Sequence, residues 1–493
     1  MEQVYNPYLP LTEYVPDGEP HVFDGRVYIY GSHDKSKGKA YCEEDYVTYS
    51  APVDNPKDWR YEGVIYRKEQ DPSNADGAMQ LWAPDVVKGG DGRYYLYYCF
   101  SFYPEIGVAV SDSPAGPFEF YGHVKYPDHI EGGKVLNDHM PFDPAVIRDD
   151  DGRVYLYWAF CPACEKDMDI PQPSQEELDA MPPETRKVIE VLSKTKFEIN
   201  SQVAELEEDM ITMKEAPRPL IPSGKTAEGT GFEGHAFFEA SSIRKIKGKY
   251  YFVYSSHKSH ELCYAISDKP DRDFKYMGTI ISNGNIGLEG NAVPTYTLSN
   301  NHGGLVELAD GYYIFYHRCT DGNEFSRQGC AEKVEIGEDG SIKQVEMTSC
   351  GLNGGPLKGQ GVYPAGICCD MTSATTTDYI DFNNPIMGQQ TRVTQAQNTS
   401  FVTAIEDGTV LGYKYFDFDD AKRVLLELRG SFKGGVTISE DLEGNKPCGL
   451  SQVDIDTENW QLLEVPCQLA GAKKALYISF AGTGSLDMKS LAF

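Results

Sequence analysis

Between His21 and Tyr316 one pattern recurs five times: an apolar or β-branched stretch, a tight Asp/Gly/Lys turn, then an alternating Tyr-rich strand. The copies span His21–Tyr30, Val87–Tyr97, Ile147–Tyr157, Ile246–Tyr254 and Leu308–Tyr316. Each reads as a β-hairpin, because Asp-Gly and Lys-Gly supply residues that tolerate positive φ and the strand beyond alternates as a half-buried strand should. The turn glycines Gly25, Gly92, Gly152, Gly248 and Gly311 are 67, 60, 96 and 63 residues apart. Three of those intervals suit four-stranded blades with long loops, and the five copies predict a five-bladed β-propeller.

The 96-residue interval holds a surplus. Between Cys161 and about Lys225 the pattern turns helical, with Ser174 and Glu177 spaced as a capping box and Val188, Ile189, Val191 and Leu192 further on. This predicts a helical insertion over about 165–225, either beside the mouth of a site or as surface decoration. After about Ser349 the repeat stops. Short alternating strands such as Arg423–Leu428, Val436–Ile438 and Ala475–Phe480 then predict a β-sandwich. The expected organisation is all-β: propeller over 1–345, linker over 346–365, sandwich over 366–493.

Composition supports this and narrows the partners. Tyrosine outnumbers tryptophan 33 to 4, which favours a Tyr-rich β protein with a substantial core. The net charge of −30 repels phosphate backbones and anionic lipid, so nucleic acid and membrane surfaces are poor partners, whereas a neutral sugar is not penalised. Met1–Pro7 has no basic n-region, and nowhere do 18 apolar residues run together. The 12 cysteines are scattered, several inside strand patterns (Cys99, Cys263, Cys319), without the framework of a small secreted domain. A reducing cytoplasm is the expected location. Cys161-Pro162-Ala163-Cys164 has CxxC spacing but no second pair, and Gly224-Lys225-Thr226 lacks the upstream glycine of a phosphate loop, where Pro219 stands.

The chemistry lies just before the hairpins. Counted back from the turn glycine, Asp17 stands 8 residues away, Asp85 7, and Asp143, Glu239 and His302 9 each. The first strand of every blade lines the channel, so four carboxylates and an imidazole should converge near one end of it. Asp143 and Glu239 are embedded among apolar residues, where an unpaired charge is costly unless a partner or function retains it. Glycoside hydrolysis needs this inventory: one carboxylic acid to protonate the leaving oxygen, one carboxylate to activate water or attack the sugar, and a third nearby to raise the acid's pKa.

Asn6-Pro7 followed by Pro16-Asp17, then Trp82-Ala83-Pro84-Asp85-Val86, Phe142-Asp143-Pro144-Ala145, Phe238-Glu239-Ala240-Ser241 and His302-Gly303-Gly304, resemble the blade signatures of family 43 glycoside hydrolases over about residues 6–345. The resemblance implies inversion, with Asp17 as general base, Glu239 as general acid and Asp143 tuning and orienting that acid. Many members carry Asp-Pro-Ser at the base position, whereas this chain reads Asp17-Gly18-Glu19-Pro20, so Glu19 is a rival base. It also implies that Arg327 reaches the sugar's hydroxyls and that His302 anchors a structural calcium-like ion at the axis; a packed structural His302 and a surface Arg327 are the alternatives. Trp82 and Asp85 complete the candidate sugar contacts, with Trp82 open to a core role.

The last 125 or so residues resemble a family 6 carbohydrate-binding module of jelly-roll form. Gln395-Ala396-Gln397 stands at that module's acidic position, which leaves Asp487 a poor calcium ligand, and Trp460 is either a sugar platform or core. The expected function is release of a terminal pentose, α-L-arabinofuranose or β-D-xylose, from hemicellulose-derived oligosaccharides, with no cofactor in the chemistry. An endo-arabinanase, a galactan-directed enzyme and a non-catalytic sugar-binding propeller are the alternatives.

Overall fold

The computed structural model describes residues 4–101, 103–137, 139–162, 174–181, 186, 196–374 and 389–493. Four four-stranded antiparallel sheets follow one another along the chain, then a three-stranded one. Blade 1 comprises Glu19–Phe23, Arg26–Tyr30, Tyr46–Pro52 and Arg60–Tyr66, and blade 2 Leu81–Lys88, Tyr94–Phe100, Ile106–Ser111 and Glu119–His123. Blade 3 comprises Ala145–Arg148, Val154–Trp158, Asn200–Leu206 and Arg218–Pro222, and blade 4 Phe237–Ile246, Lys249–Ser256, Glu261–Ser267 and Lys275–Ser282. Blade 5 has Leu305–Leu308, Gly311–Thr320 and Asn323–Val334. Each expected hairpin joins a blade's first two strands. In blades 1 and 4 the loop residues Asp24-Gly25 (φ 49° and 78°) and Lys247-Gly248 (φ 51° and 82°) are all left-handed, the turn whose twist matches that of the strands.

The innermost strand of each blade neighbours the next, and that of blade 5 returns to blade 1, so the five close a ring. Period-2 alternation explains why the strands read as nearly continuous apolar runs. In Val154–Trp158, Tyr155 and Tyr157 pack against Phe237, Tyr250 and Phe252 of blade 4. Val154, Leu156 and Trp158 pack the other way, against Tyr95, Tyr97 and Val108 of blade 2. Each fully buried side chain of this kind contributes roughly 1.5–3 kcal/mol. The chain start seals the ring: Tyr8 N donates to Gly329 O (3.2 Å), while Asn6 Oδ1 accepts from Ala331 N (2.9 Å) and its Nδ2 donates to Ala331 O (3.0 Å).

The capping box forms as spaced, on the helix Gln175–Ala180. The stretch read as a helical insertion is nevertheless partly strand, because Asn200–Leu206 and Arg218–Pro222 are the outer strands of blade 3. Alternation in Ser201-Gln202-Val203-Ala204-Glu205-Leu206 carries that signal. Val188, Ile189, Val191, Leu192 and Cys164 lie outside the described residues.

The C-terminal segment folds into a β-rich unit around Val424, Leu426, Leu428, Ile478 and Phe480. Its long strands double back, so that Leu426 pairs with both Leu463 and Leu491. Leu357–Lys358, in the stretch read as linker, adds parallel to Phe416 and Asp417 at one edge. The unit docks on blade 5, where buried Arg318 donates to the carbonyls of Cys368 and Gly366.

Close backbone approach at the axis makes one glycine indispensable. A Cβ on Gly303 would lie 1.9 Å from Phe315 O and 2.5 Å from its carbonyl carbon, and main chain cannot yield cheaply. Gly303→Ala is expected to cost at least about 1–3 kcal/mol, measured as a lower urea midpoint at an unchanged m value.

Candidate active site

The upper ends of the inner strands surround a cavity of about 250 Å³ lined by Asp17, Asp143, Glu239, Trp82, His302 and Arg327, with Tyr41, Phe142, Phe160, Phe238, Asn300, Asn301, His317 and Glu324 among the rest. Backbone irregularity aims several of these inward. Asp17 and Asp143 hold φ of 56° and 48°, a region non-glycine residues seldom occupy, and register shifts flank Glu239 and separate Trp82 from Asp85. Bulges and left-handed residues of this kind re-aim side chains at functional sites.

The three carboxyls have different proton affinities. Burial would raise Asp17, but Arg327 Nη1, 2.8 Å from its Oδ1, holds it below the ordinary carboxylate range. Arg327 is itself clamped, with Nε 2.9 Å and Nη2 3.2 Å from Asp34. His317 beside it is neutral, its pKa pushed down to about 3 by burial and by Arg327. Its Nδ1 accepts from Asp17 N (3.3 Å) and its Nε2 donates to Asn300 O (2.9 Å). Glu239 is pushed up to about 8 by burial and by the charges of Asp17 and Glu324. Asp143 is raised by burial, Glu239 and Asp17 while accepting from Ala240 N at 2.9 Å, so the Asp143–Glu239 pair keeps a proton at neutral pH.

Two other carboxylates lie deeper. Asp85 is fully buried: Oδ1 lies 2.5 Å from His21 Nε2 and accepts from Val86 N (2.8 Å), and Oδ2 accepts from Val146 N (2.8 Å). It does not line the cavity and so does not serve as the expected sugar contact. Its distance of 7 rather than 9 residues from the turn sets it about 7 Å further down the strand. Glu19, the rival base, is likewise below, with Oε2 2.6 Å from Arg244 Nη2 and 3.0 Å from Ser242 Oγ. Two residues beyond Asp17, it faces the axis rather than the cavity.

His302 is kept neutral, its pKa pushed down to about 4 by burial and Arg327. Its Nδ1 lies 3.6 Å from Asp143 Oδ2, and its Nε2 faces Glu19 Oε1 at 3.8 Å. Neither of those last two atoms has a hydrogen-bond partner among the described residues. A neutral imidazole facing a carboxylate oxygen fits a water on the axis, or a calcium-like cation whose other ligands are water oxygens.

The sequence reading did not single out Tyr41, Asn300, His317 or Glu324. Asn300 adjoins the His302 motif, and Glu324 stands three residues before Arg327 in the same hairpin, so proximity to motifs already found is the signal for both. Tyr41 sits on the loop between two strands of blade 1, where no periodicity points to the site.

A cavity of this size, walled largely by apolar side chains and holding one ionised and one proton-bearing carboxyl, defines a site for acid–base hydrolysis of a small neutral substrate. The comparisons agree. The model of glycosyl hydrolases family 43 matches residues 54–342. A xylosidase/arabinosidase of Thermoclostridium stercorarium is 43% identical, covering 99% of this chain and 98% of that protein. A xylosidase/arabinosidase of Bacteroides ovatus is 32% identical over 69% of this chain and 97% of its own. Among solved structures, a family 43 β-xylosidase/α-arabinofuranosidase from a compost microbial metagenome, in complex with xylotriose and in a calcium-free form, aligns with a TM-score of 0.50 at 26% identity, over 70% of this chain and 98% of that one. The chain belongs to family 43 of the glycosyl hydrolases, and it is a glycosidase.

The proton affinities fix the expected pH profile. Hydrolysis needs Asp17 ionised and Glu239 protonated, so kcat/KM should fall on the acid side only below the ordinary carboxylate range of about 4, and on the alkaline side near the Glu239 value of about 8. Removing the like charge in Glu324→Gln eases ionisation of Glu239 and should move the alkaline limb to lower pH. A pH series on wild type and variant checks both.

Proposed function

We propose that the chain is an inverting exo-glycosidase that releases a terminal pentose, β-D-xylose or α-L-arabinofuranose, from short hemicellulose-derived oligosaccharides. The observation that carries this is the opposed protonation of Asp17 and Glu239 around a cavity of about 250 Å³. That volume is below the roughly 300–1,000 Å³ of pockets for drug-sized ligands, so it suits one sugar ring at a chain end rather than a polymer crossing an open groove. The pentose assignment is supported by the xylosidase/arabinosidase relatives.

In this reading Glu239 gives its proton to the departing glycosidic oxygen, and Asp17 takes a proton from the water that attacks the opposite face of the ring. Arg327 keeps Asp17 ionised between turnovers, and occupation of its donors by Asp17 and Asp34 makes that its main task. Asp143 accepts from Ala240 N and so fixes the backbone next to Glu239, while burial and the charges of Asp17 and Glu324 favour the protonated form of Glu239. Trp82, edge-on to Phe142 at 5.2 Å, supplies apolar wall for a sugar face. His302 Nε2 and Glu19 Oε1 would hold a calcium-like ion, whose contribution is to fix the axis by charge; no proton moves through it.

The C-terminal unit is read as a β-sandwich of the family 6 type that supports the propeller rather than capturing polymer. Trp460, the aromatic candidate, carries the Arg429 guanidinium over its ring at 4.4 Å, and Asp487 is taken up by Arg429 (2.8 Å) and Thr403 Oγ1 (2.6 Å). We place the enzyme in a reducing cytoplasm, where imported oligosaccharides would be its substrates; the free thiols of all described cysteines support that reading.

The test is hydrolysis of nitrophenyl β-xyloside and α-arabinofuranoside with the anomer of the first-formed product followed by NMR. An inverted product is expected. A general acid matters in proportion to how much the departing oxygen needs a proton, so Glu239→Gln should lose about 10²–10⁴-fold in kcat/KM on an oligosaccharide and far less on the nitrophenyl substrate. Asp17→Asn should lose on both. Equal losses for Glu239→Gln on the two substrates would refute the acid assignment.

A further inference from the structure

Glu324 is a fourth carboxyl on the cavity wall; its charge helps Glu239 keep its proton, but it neither gives nor takes a proton in the acid and base steps. It sits at the start of Asn323–Val334, where the blade 5 hairpin turns over the rim. The Tyr41 hydroxyl donates to its Oε2. The Asn300 backbone also bonds to it, and since a carboxylate has about four acceptor sites, these two partners leave it with capacity toward the cavity. Tyr41 is in turn fixed: its ring lies 5.0 Å from the Arg327 guanidinium and stands edge-on to Phe325 at 4.8 Å and Trp82 at 6.1 Å.

The hairpin that carries Glu324 does not stand alone. Three residues earlier, buried Asp321 collects three pieces of chain. Its Oδ2 accepts from Ser36 Oγ (2.9 Å) and Lys37 N (3.0 Å) on the blade 1 loop that leads to Tyr41, and its Oδ1 accepts from Thr394 Oγ1 (2.5 Å) of the C-terminal unit. Its own N–H donates to Val393 O at 2.8 Å. Ser326 Oγ, on the far side of Glu324, donates to Lys35 O at 2.8 Å. The loop with Tyr41 and the hairpin with Glu324 are thus laced together, and the strand Arg392–Ala396 closes the lacing from the other domain.

We infer that Glu324, held by Tyr41, is a specificity-determining carboxyl that accepts hydrogen bonds from the hydroxyls of the sugar ring in the cavity, and that the Asp321–Thr394 contact makes the C-terminal domain a positioning element for it. The inference rests on the proposed exo-glycosidase reading and adds to it the group that recognises the ring. A hydrogen bond from a hydroxyl to a half-buried charge that strengthens equally in ground and transition states affects binding rather than turnover.

The experiment uses the full chain and measures kcat and KM on whichever nitrophenyl pentoside wild type hydrolyses, together with Ki for the corresponding free pentose. Glu324→Gln, which keeps the shape and removes the charge, is expected to raise KM and Ki by about 10- to 100-fold with a smaller change in kcat. Thr394→Val, remote from the cavity, should raise both in the same direction by about 3- to 10-fold, and Thr394→Ser, which keeps the hydroxyl, should restore them. KM and Ki within twofold of wild type in Glu324→Gln overturn the sugar-binding role, and equal values in the valine and serine variants overturn the positioning role. A wild-type enzyme inactive on both pentosides refutes the proposed function itself, so the two failures are distinguishable.

Discussion

The structure depends on each blade being buried on both faces. Five separate apolar layers lie between neighbouring blades, including one between the last and the first, where Val27 and Ile29 meet Val306 and Phe315. No blade has a free hydrophobic face when the ring is closed, and every blade has one when it is open. Closure therefore couples the first residues of the chain to the last blade, which is why Asn6 and Tyr8 bond to Ala331 and Gly329. The fifth blade has only three strands of its own, and this start segment lies along its outer edge.

Closing the ring brings five inner strands to one axis, and that axis is polar. Glu19, His21, Asp85, Arg244 and Ser242 form a partnered network beneath the cavity, where burial makes an unpaired charge costly. Above it the partnering is deliberately unequal. Arg327 is shared between Asp34 and Asp17, whereas Glu239 receives no cation of its own among the described residues and keeps its proton. The same burial acts on both carboxyls, and the placing of one guanidinium separates acid from base.

The second domain bears on this arrangement through few but buried contacts. Arg318 inserts its guanidinium among carbonyls of the segment leading into that domain, and Asp321 bonds to Thr394 and Val393. Both lie on the hairpin whose far strand supplies Glu324 and Arg327. The domain packs where the rim of the site is built, so its influence on the cavity does not require it to touch a sugar.

Local patterning carried much of this. Hairpin glycines, Tyr-rich alternation and the Ser174–Glu177 capping box are short-range features whose backbone geometry follows from the residues themselves, so fold class and blade number were legible. Nearly equal spacing before the turns likewise pointed to Asp17, Asp143 and Glu239, because residues at similar heights on equivalent strands must meet. The sequence could not tell Asp85 and Glu19 from those three: two residues along a strand is about 7 Å of depth, enough to move a carboxylate from cavity to axis. Nor could it show which carboxyl Arg327 would neutralise, or that Tyr41 and Glu324, nearly 300 positions apart, would share a hydrogen bond. Those pairings exist only once the ring closes, and proton affinity, which decides the chemistry, is set by such long-range neighbours where burial weakens solvent screening.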